Sequence, residues 1–287
     1  MSDGNSLINF GDLTKPATVL IEKISDAVGV LYQPRQIKRL AKAEAEAEKI
    51  KTLTKIELTE IEQRAVKRFV IEETIKQQNI ENIIEKALPE LKEDAKPEDI
   101  ENDWLARFFE ECKLISDEEM QSLWANLLAG EANEPGTFSK RTIDFVSNMD
   151  KSDAELFTNL CSFCINKEIL FIYDYTNDVY QQKGLTFALL THLDSIGLVK
   201  FDDEADYAMD DIKDNDTVDY FGTLIQLQFP PLEKGVSVGQ VALTKIGNEL
   251  APICGAVKVD GFVDYCVKNL NERGYTVSFP DKIESDR

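Results

Sequence analysis

Residues 35–88 read RQIKRLAKAEAEAEKIKTLTKIELTEIEQRAVKRFVIEETIKQQNIENIIEKAL. These 54 residues contain neither Gly nor Pro and are rich in Ala, Glu, Lys, Ile and Leu. This composition favours a long helix of about 80 Å at 1.5 Å per residue. The centre, residues 41–48, is polar almost all round, and the later apolar positions follow no strict seven-residue repeat. The sequence therefore predicts a long helical stalk that is interrupted, with a break near residues 77–79.

An amphipathic segment precedes this stretch. Apolar residues between positions 17 and 32 recur at i, i+1, i+4, i+7, i+8 and i+11, which places them on one face of a helix. Pro16 suits the first turn of this helix, and Pro34 interrupts it. Four cations follow at once, and their spacings of three, four and seven place them on a single face.

Two roles fit an apolar stripe that is followed directly by cations. The pattern is typical of a segment lying on an anionic membrane surface. The stripe can also dock on the helical domain of its own chain or on a second copy, and both alternatives stay open here. The predicted partner or membrane-surface residues are Leu20, Ile21, Ile24, Val28, Leu31, Arg35, Lys38, Arg39 and Lys42.

Charge is distributed unevenly along the 287 residues. Residues 1–88 hold 14 Lys and Arg against 14 Asp and Glu, so residues 89–287 carry the whole formal charge of −21. From Asp202 to Asp219, nine carboxylates are accompanied by one cation, Lys213. This density repels a phosphate backbone and predicts a solvated loop, so nucleic-acid binding by this half is disfavoured.

The remainder of the chain divides into two parts. Capping boxes at residues 116–119 and 152–155 predict helix starts in a compact helical domain. After residue 166, short β-rich runs interleave with helices in an order that resembles a winged helix. The predicted fold is α+β and mostly α, with an amphipathic N-terminal segment at 1–34, the long helix at 35–88, a helical domain at 89–165 and an acidic winged-helix-like α+β domain at 166–287.

Patterns that carry chemistry are few. Cys161 and Cys164 have the two-residue spacing of a zinc or redox pair, but the other three cysteines form no matching pair and His192 is the single histidine. The sequence contains no Gly-x-Ser-x-Gly turn and no phosphate-binding glycine loop. We therefore predict no catalytic residue, no metal site and no cofactor, and leave a redox role of the cysteine pair open.

The middle region carries large apolar residues at helical spacings, which favours core packing. These residues are Trp104, Phe108, Leu123, Trp124, Leu127 and Leu128. No apolar run approaches the roughly 20 residues of a membrane-spanning helix, the N-terminus does not resemble a secretory signal, and an odd number of cysteines fits a reducing compartment. We expect a cytoplasmic protein, with peripheral contact at the inner membrane as the alternative.

Several stretches carry a family resemblance. They are LTKP at 13–16, YQPRQI at 32–37 with AKA at 41–43, SLWANLLA at 122–129, FSKR at 138–141 and LTKIGNEL at 243–250. The chain resembles a bacterial family of unknown function whose helical domain is similar to abortive-infection alpha-type proteins of phage defence. The resemblance implies a defence or stress context and brings no catalytic residues with it.

The residues favour a non-enzymatic interaction protein. In this hypothesis the N-terminal helices mediate homo-oligomer formation or membrane-surface contact, and the acidic C-terminal module holds a protein partner. The alternative is a nucleic-acid-binding regulator that uses the winged-helix-like module, although residues 166–287 offer few cations to neutralise phosphates. An enzyme such as a nuclease effector has the least support.

Overall fold

The protein consists of two compact units, Met1–Ser147 and Asn148–Arg287. The structure, a computed structural model, describes residues 13–29, 59–204 and 206–280. The division falls after Ser147 and not after residue 165. The described parts of 1–34 and 35–88 belong to the same unit as the helices that follow, because those helices cover the apolar face of residues 17–24 and the apolar residues between 79 and 87.

The described part of the first unit is helical. It contains α1 (Lys15–Val28), α2 (Glu60–Ala87), α3 (Asn102–Cys112), α4 (Glu118–Asn133) and α5 (Lys140–Ser147), with 3₁₀ turns at Leu88–Glu90 and Pro97–Asp99. α1 packs on α3 and the second turn, α2 packs on α4, and α3 packs on α5. At the centre the Phe108 ring lies 5.2 Å from Trp104 and 5.1 Å from Trp124, measured between centroids.

Local signals set the ends of α1. The Thr14 hydroxyl accepts a hydrogen bond from the Ala17 N–H at 3.4 Å and caps the first turn, which also contains Pro16. Gly29 adopts a left-handed φ of 68° and ends the helix, where the sequence pattern predicted that it runs on to residue 32.

The long helix begins later than the composition predicted. Thr59 is extended, with ψ at 160°, and forms a capping box with Glu62, so α2 begins at Glu60 and the predicted stalk is interrupted at Thr59. Residues 35–58 lie outside the described residues. The predicted break at 77–79 is also wrong, since α2 is continuous there and the Asn79 amide donates to Lys113 O at 2.9 Å.

The second unit combines helices with short antiparallel pairs of strands. Its helices are α6 (Lys151–Cys161), α7 (Asp178–Gln181), α8 (Phe187–Ser195), α9 (Lys245–Leu250) and α10 (Phe262–Glu272), with a 3₁₀ turn at Ala251–Ile253. Its strands are β1 (Cys164–Ile165), β2 (Ile169–Leu170), β3 (Val199–Phe201), β4 (Tyr207–Met209), β5 (Thr217–Tyr220), β6 (Thr223–Gln228), β7 (Val236–Gly239), β8 (Val241–Leu243) and β9 (Thr276–Ser278). The predicted α+β, mostly helical fold is confirmed.

The strands pair locally. β1 pairs with β2, β3 with β8, β4 with β7, and β6 lies between β5 and β9, all antiparallel. In chain order the unit begins with α6, β1, β2, α7, α8 and β3, and β3 pairs with β8. The winged-helix-like arrangement stays a prediction. Strands β4–β7 are inserted between β3 and β8. Aromatic packing forms the core, with Phe163 4.9 Å from Tyr180 and 5.1 Å from Phe262.

The acidic run from Asp202 to Asp219 is not the plain solvated loop that its charge predicted. It contains β4 and the start of β5. Ile212 and Val218 are buried, and they anchor the run to the unit. The carboxylates find backbone partners, since Asp216 Oδ2 accepts from Lys213 N at 2.7 Å. Local hydrogen bonds and these two apolar anchors offset the repulsion between the carboxylates.

Candidate functional site

The predicted apolar face of α1 is buried against its own unit. Leu20, Ile21 and Ile24 are covered by α3 and the Pro97–Asp99 turn, whereas Val28 is only half-buried. In this packing the three buried residues do not face a membrane or a second copy. The remaining predicted residues, Leu31, Arg35, Lys38, Arg39 and Lys42, lie outside the described residues, so their role stays a prediction.

The packing of α1 makes a stability prediction. We expect Leu20→Ala to lower the free energy of unfolding by about 2 kcal/mol, because it removes buried methyl groups and leaves a cavity beside α3. Urea unfolding followed by circular dichroism measures this change. Glu22→Ala, on the exposed side of the same helix, is the matched control and is expected to change stability little. Equal stability of Leu20→Ala and the wild type would contradict the docking of α1.

The N-terminal half of α2 is exposed on nearly every side. All the buried residues of this helix lie between Asn79 and Ala87. Residues 60–76, here called the exposed segment, nevertheless carry large apolar side chains. Ile61 is 69% exposed, Phe69 62%, Ile71 50% and Ile75 51%. A monomeric protein rarely leaves such a concentration of apolar surface uncovered, so the exposed segment is the strongest candidate for an interaction surface.

Ion pairs within the helix stabilise the exposed segment. Arg64 lies 3.7 Å from Glu60, Arg68 3.7 Å from Glu72 and Lys76 2.6 Å from Glu73, all within the helix. The hydrogen bond to Glu73 raises the pKa of Lys76. At the start of the helix, the side-chain hydrogen bond from Thr59 lowers the pKa of Glu62. The segment thus has its own helix-stabilising contacts although described residues cover little of it.

The residues of the distinctive SLWANLLA block are structural. Trp124, Leu127 and Leu128 are fully buried, as predicted for the core, and Leu123 is half-buried. Directly after the block, buried Glu131 accepts from the Gly136 N–H at 2.7 Å and from the Phe138 N–H at 2.9 Å. The block and the carboxyl group that follows it therefore fix the turn between α4 and α5.

Two further residues hold the same turn. The Trp104 indole N–H donates to Phe138 O at 2.8 Å. Gly130 leaves room for the Phe138 ring, because a Cβ at this position would lie 2.6 Å from Phe138 Cε2. A cleft of about 490 Å³ beside the turn is lined by Glu131, Phe138 and Arg141 among others.

The LTKIGNEL stretch is also explained by packing. Thr244 caps α9 by accepting from the Gly247 N–H at 3.1 Å, and its hydroxyl donates to Gly197 O at 2.6 Å. A Cβ at Gly247 would lie 2.1 Å from Leu198 O, so α9 can pack this closely on the backbone before β3 only with a glycine at position 247. The stretch therefore packs α9 against the start of β3.

The residues considered for metal or redox chemistry lie in the second unit. Cys161 ends α6 and Cys164 lies in β1, and both are buried. His192 Nε2 lies 2.8 Å from Asp153 Oδ1 at the surface. Within residues 13–29, 59–204 and 206–280 no group of three or more His, Cys, Asp or Glu side chains is arranged to hold a metal ion.

A polar cleft of about 620 Å³ between β4, β7 and α10 was not anticipated from the sequence. Arg273 lines the cleft, with Nη1 2.6 Å from Asp206 Oδ2, and its guanidinium packs over the Tyr173 ring at 4.8 Å. Ser237 donates to Asp206 as well. Since these residues are far apart in the chain, no spacing pattern could indicate the cleft.

The geometry defines a class of protein. The chain is a two-unit, mostly helical α+β protein with an exposed apolar helix segment, and none of the helices in its described part has the length and apolar character needed to cross a membrane. A family model described as "Protein of unknown function (DUF2806)" matches residues 63–267. The chain therefore belongs to the DUF2806 family. Comparisons with curated proteins and with solved structures found no match, and nothing in them links the chain to abortive-infection proteins.

Proposed function

We propose that this protein is a non-enzymatic interaction protein that self-assembles through the exposed segment of α2. The observation that supports this proposal is the exposure of Ile61, Phe69, Ile71 and Ile75. They lie on the same helix whose last part, from Asn79 to Ala87, is buried in the first unit. Exposed apolar side chains contribute little to the stability of an isolated helix in water. A second helix that packs against them removes their apolar surface from water, which is favourable.

Heptad spacing places three of these side chains together. Ile61 and Ile75 are two heptads apart, and Ile71 lies one turn from Ile75, so all three lie within one side of the helix. Ala65 is near the same side. Arg68 and Glu72 lie on the same side between the two ends, so this is an apolar strip interrupted by one ion pair, which a second copy of the segment can match.

The charges of the segment favour an antiparallel pair. When two copies run in opposite directions about Arg68, Glu60 meets Lys76 and Arg64 meets Glu72 of the other copy, and only Arg68 meets its own counterpart. Ile61 then meets Ile75. In a parallel pair each charge would meet its own kind, which is unfavourable. Surface ion pairs add little energy, so in this proposal the apolar residues provide the affinity and the charges select the orientation.

The mass of the full-length chain in solution tests self-assembly. Light scattering after gel filtration is expected to give at least twice the 32.4 kDa of one chain. A mass of one chain at every concentration would contradict the proposal. Full-length protein is required, because the last part of α2 and the apolar face of α1 are buried in the first unit and removing residues 1–88 would expose its core.

The nucleic-acid alternative receives less support. In a winged-helix-like module the helix before the paired strands is the natural reading element, and this is α8. It contains no Lys or Arg, and its exposed residues include Phe187, Thr191 and His192. Counterion release requires clustered cations, so nucleic-acid binding through α8 is not proposed.

A bacterial phage-defence setting is a further part of the proposal, and its support is the resemblance of the SLWANLLA block. We expect bacteria that express the protein to give fewer plaques than cells with an empty vector when challenged with a panel of phages. Protection is expected to be lost with Ile75→Glu if it depends on assembly. Equal plaque numbers across the panel would contradict the defence role and leave self-assembly unaffected. Peripheral membrane contact through residues 30–42 is the alternative mode of attachment.

A further inference from the structure

Three of the five cysteines lie together in the second unit. Cys161 ends α6, Cys164 lies in β1, and Cys254 directly follows the 3₁₀ turn Ala251–Ile253. The Cys161 thiol lies close enough to both of the other thiols for each of them to raise its pKa. Cys161 and Cys164 are buried, whereas Cys254 is partly exposed. Cys254 is therefore the member of the cluster that a dissolved reagent reaches first.

Backbone contacts hold Cys254 beside α6. The Thr158 hydroxyl donates to Cys254 O at 3.0 Å, and Cys254 Sγ lies 3.2 Å from Ala251 O. Thr158 and Cys161 are three residues apart on one helix, so they share a face. The face of α6 that binds the Cys254 backbone is thus the face that carries Cys161.

The environments of the two thiols differ. Burial raises the pKa of Cys161 well above that of an ordinary thiol. The hydrogen bond from Cys161 lowers the pKa of Cys254, and the Ala256 N–H contributes in the same direction while burial opposes them. Because the thiolate is the reactive form, Cys254 is suited to react first with an oxidant, and Cys161 is suited to react afterwards with the oxidised Cys254.

We propose that Cys254 and Cys161 form a peroxide-reactive pair that closes into a disulfide. The Cys254 thiolate attacks one oxygen of a hydroperoxide, the O–O bond breaks, and Cys254 becomes a sulfenic acid while the other oxygen leaves as hydroxide or alkoxide and takes up a proton. The Cys161 sulfur then attacks the Cys254 sulfur. An S–S bond forms, and the hydroxyl group leaves with the Cys161 proton as water. The two thiols lose two electrons, which reduce one peroxide.

The wild-type protein provides the first test. Reduced full-length chain is treated with one equivalent of hydrogen peroxide, free thiols are counted, and peptides are mapped by mass spectrometry without reduction. The count is expected to fall from five to three, with a peptide that links Cys161 to Cys254 and is released by dithiothreitol. Absence of this peptide, or a Cys161–Cys164 link in its place, would overturn the proposal without any variant.

Two variants separate the roles of the thiols. Cys161→Ala is expected to leave Cys254 as a sulfenic acid that dimedone traps, whereas Cys254→Ala is expected to lose no thiols to one equivalent of peroxide. Cys112→Ala is the matched control, since Cys112 is buried in the first unit, and it is expected to form the same link as the wild type. Circular dichroism verifies that each variant folds. Dimedone labelling of Cys161 in Cys254→Ala would contradict the assigned order of attack.

Discussion

The substitution Ile75→Glu is expected to convert the self-associated protein into a monomer. In the antiparallel pair Ile75 of each copy meets Ile61 of the other, so a twofold dimer contains two such contacts. Burying an isoleucine side chain contributes about 2 kcal/mol. Losing both contacts removes about 4 kcal/mol, which weakens association about a thousandfold. Sedimentation equilibrium over a range of concentrations measures the dissociation constant of Ile75→Glu against the wild type.

Thr74→Glu is the matched control for this variant. It places the same charge on the neighbouring residue, which is exposed and lies about 100° further round the helix. Assembly is expected to persist in Thr74→Glu. If the two variants associate equally strongly, the strip of Ile61, Ile71 and Ile75 is not the interface.

Charge exchange tests the orientation of the pair. Arg64→Glu is expected to weaken association, because it sets a glutamate against Glu72 of the second copy. Adding Glu72→Arg restores opposite charges in an antiparallel pair and is expected to recover the affinity. Recovery is not expected in a parallel pair, where residue 64 meets residue 64 and both like-charge contacts persist.

Loss of the Glu131 carboxyl group is expected to have the largest effect on stability. Its two oxygens accept the N–H groups of Gly136 and Phe138 in the turn after α4, where Glu131 and Phe138 are buried and Gly136 is exposed. Glu131→Ala leaves both donors without this partner, at a cost of about 1–2 kcal/mol each. We expect the free energy of unfolding to fall by about 3 kcal/mol, a large part of the stability of an ordinary domain. Urea unfolding monitored by tryptophan fluorescence measures this change.

Two neighbouring substitutions refine this result. Glu131→Gln keeps one acceptor oxygen but turns an NH₂ group toward a backbone N–H, so a loss of about half that of Glu131→Ala is expected. Glu134→Ala changes an exposed residue in the same turn and is expected to shift stability by less than about 0.5 kcal/mol. A loss in Glu134→Ala equal to that in Glu131→Ala would show that the buried hydrogen bonds are not the cause.

Short-range patterns predicted the elements whose determinants are local. Pro16 marks the first turn of α1, and the β-rich runs after residue 166 include β3, β6 and β8. The end of the long helix was predicted, but its start was not, because the capping box at Thr59 lies in a run without Gly or Pro. Composition cannot indicate where a favourable cap interrupts a run of good helix formers.

The candidate site was predicted only in part. The sequence identified Ile61, Phe69 and Ile75 as apolar positions within a long helix, but it could not tell them from Ile80 and Ile83, which have the same chemistry. In the structure α4 covers the second pair and not the first three. The apolar stripe of α1 shows the opposite outcome. From the sequence it was a candidate partner or membrane surface, and in the structure α3 covers it.

By itself the sequence determined that the chain is a mostly helical α+β protein with an acidic second half, because periodicity, caps and charge are properties of neighbouring residues. Only the tertiary structure decided which apolar faces are covered, which thiols touch and which turn Glu131 holds. Each of those features depends on residues that are distant in the chain, and hydrophobic burial is nondirectional, so the pattern of one segment does not specify its partner.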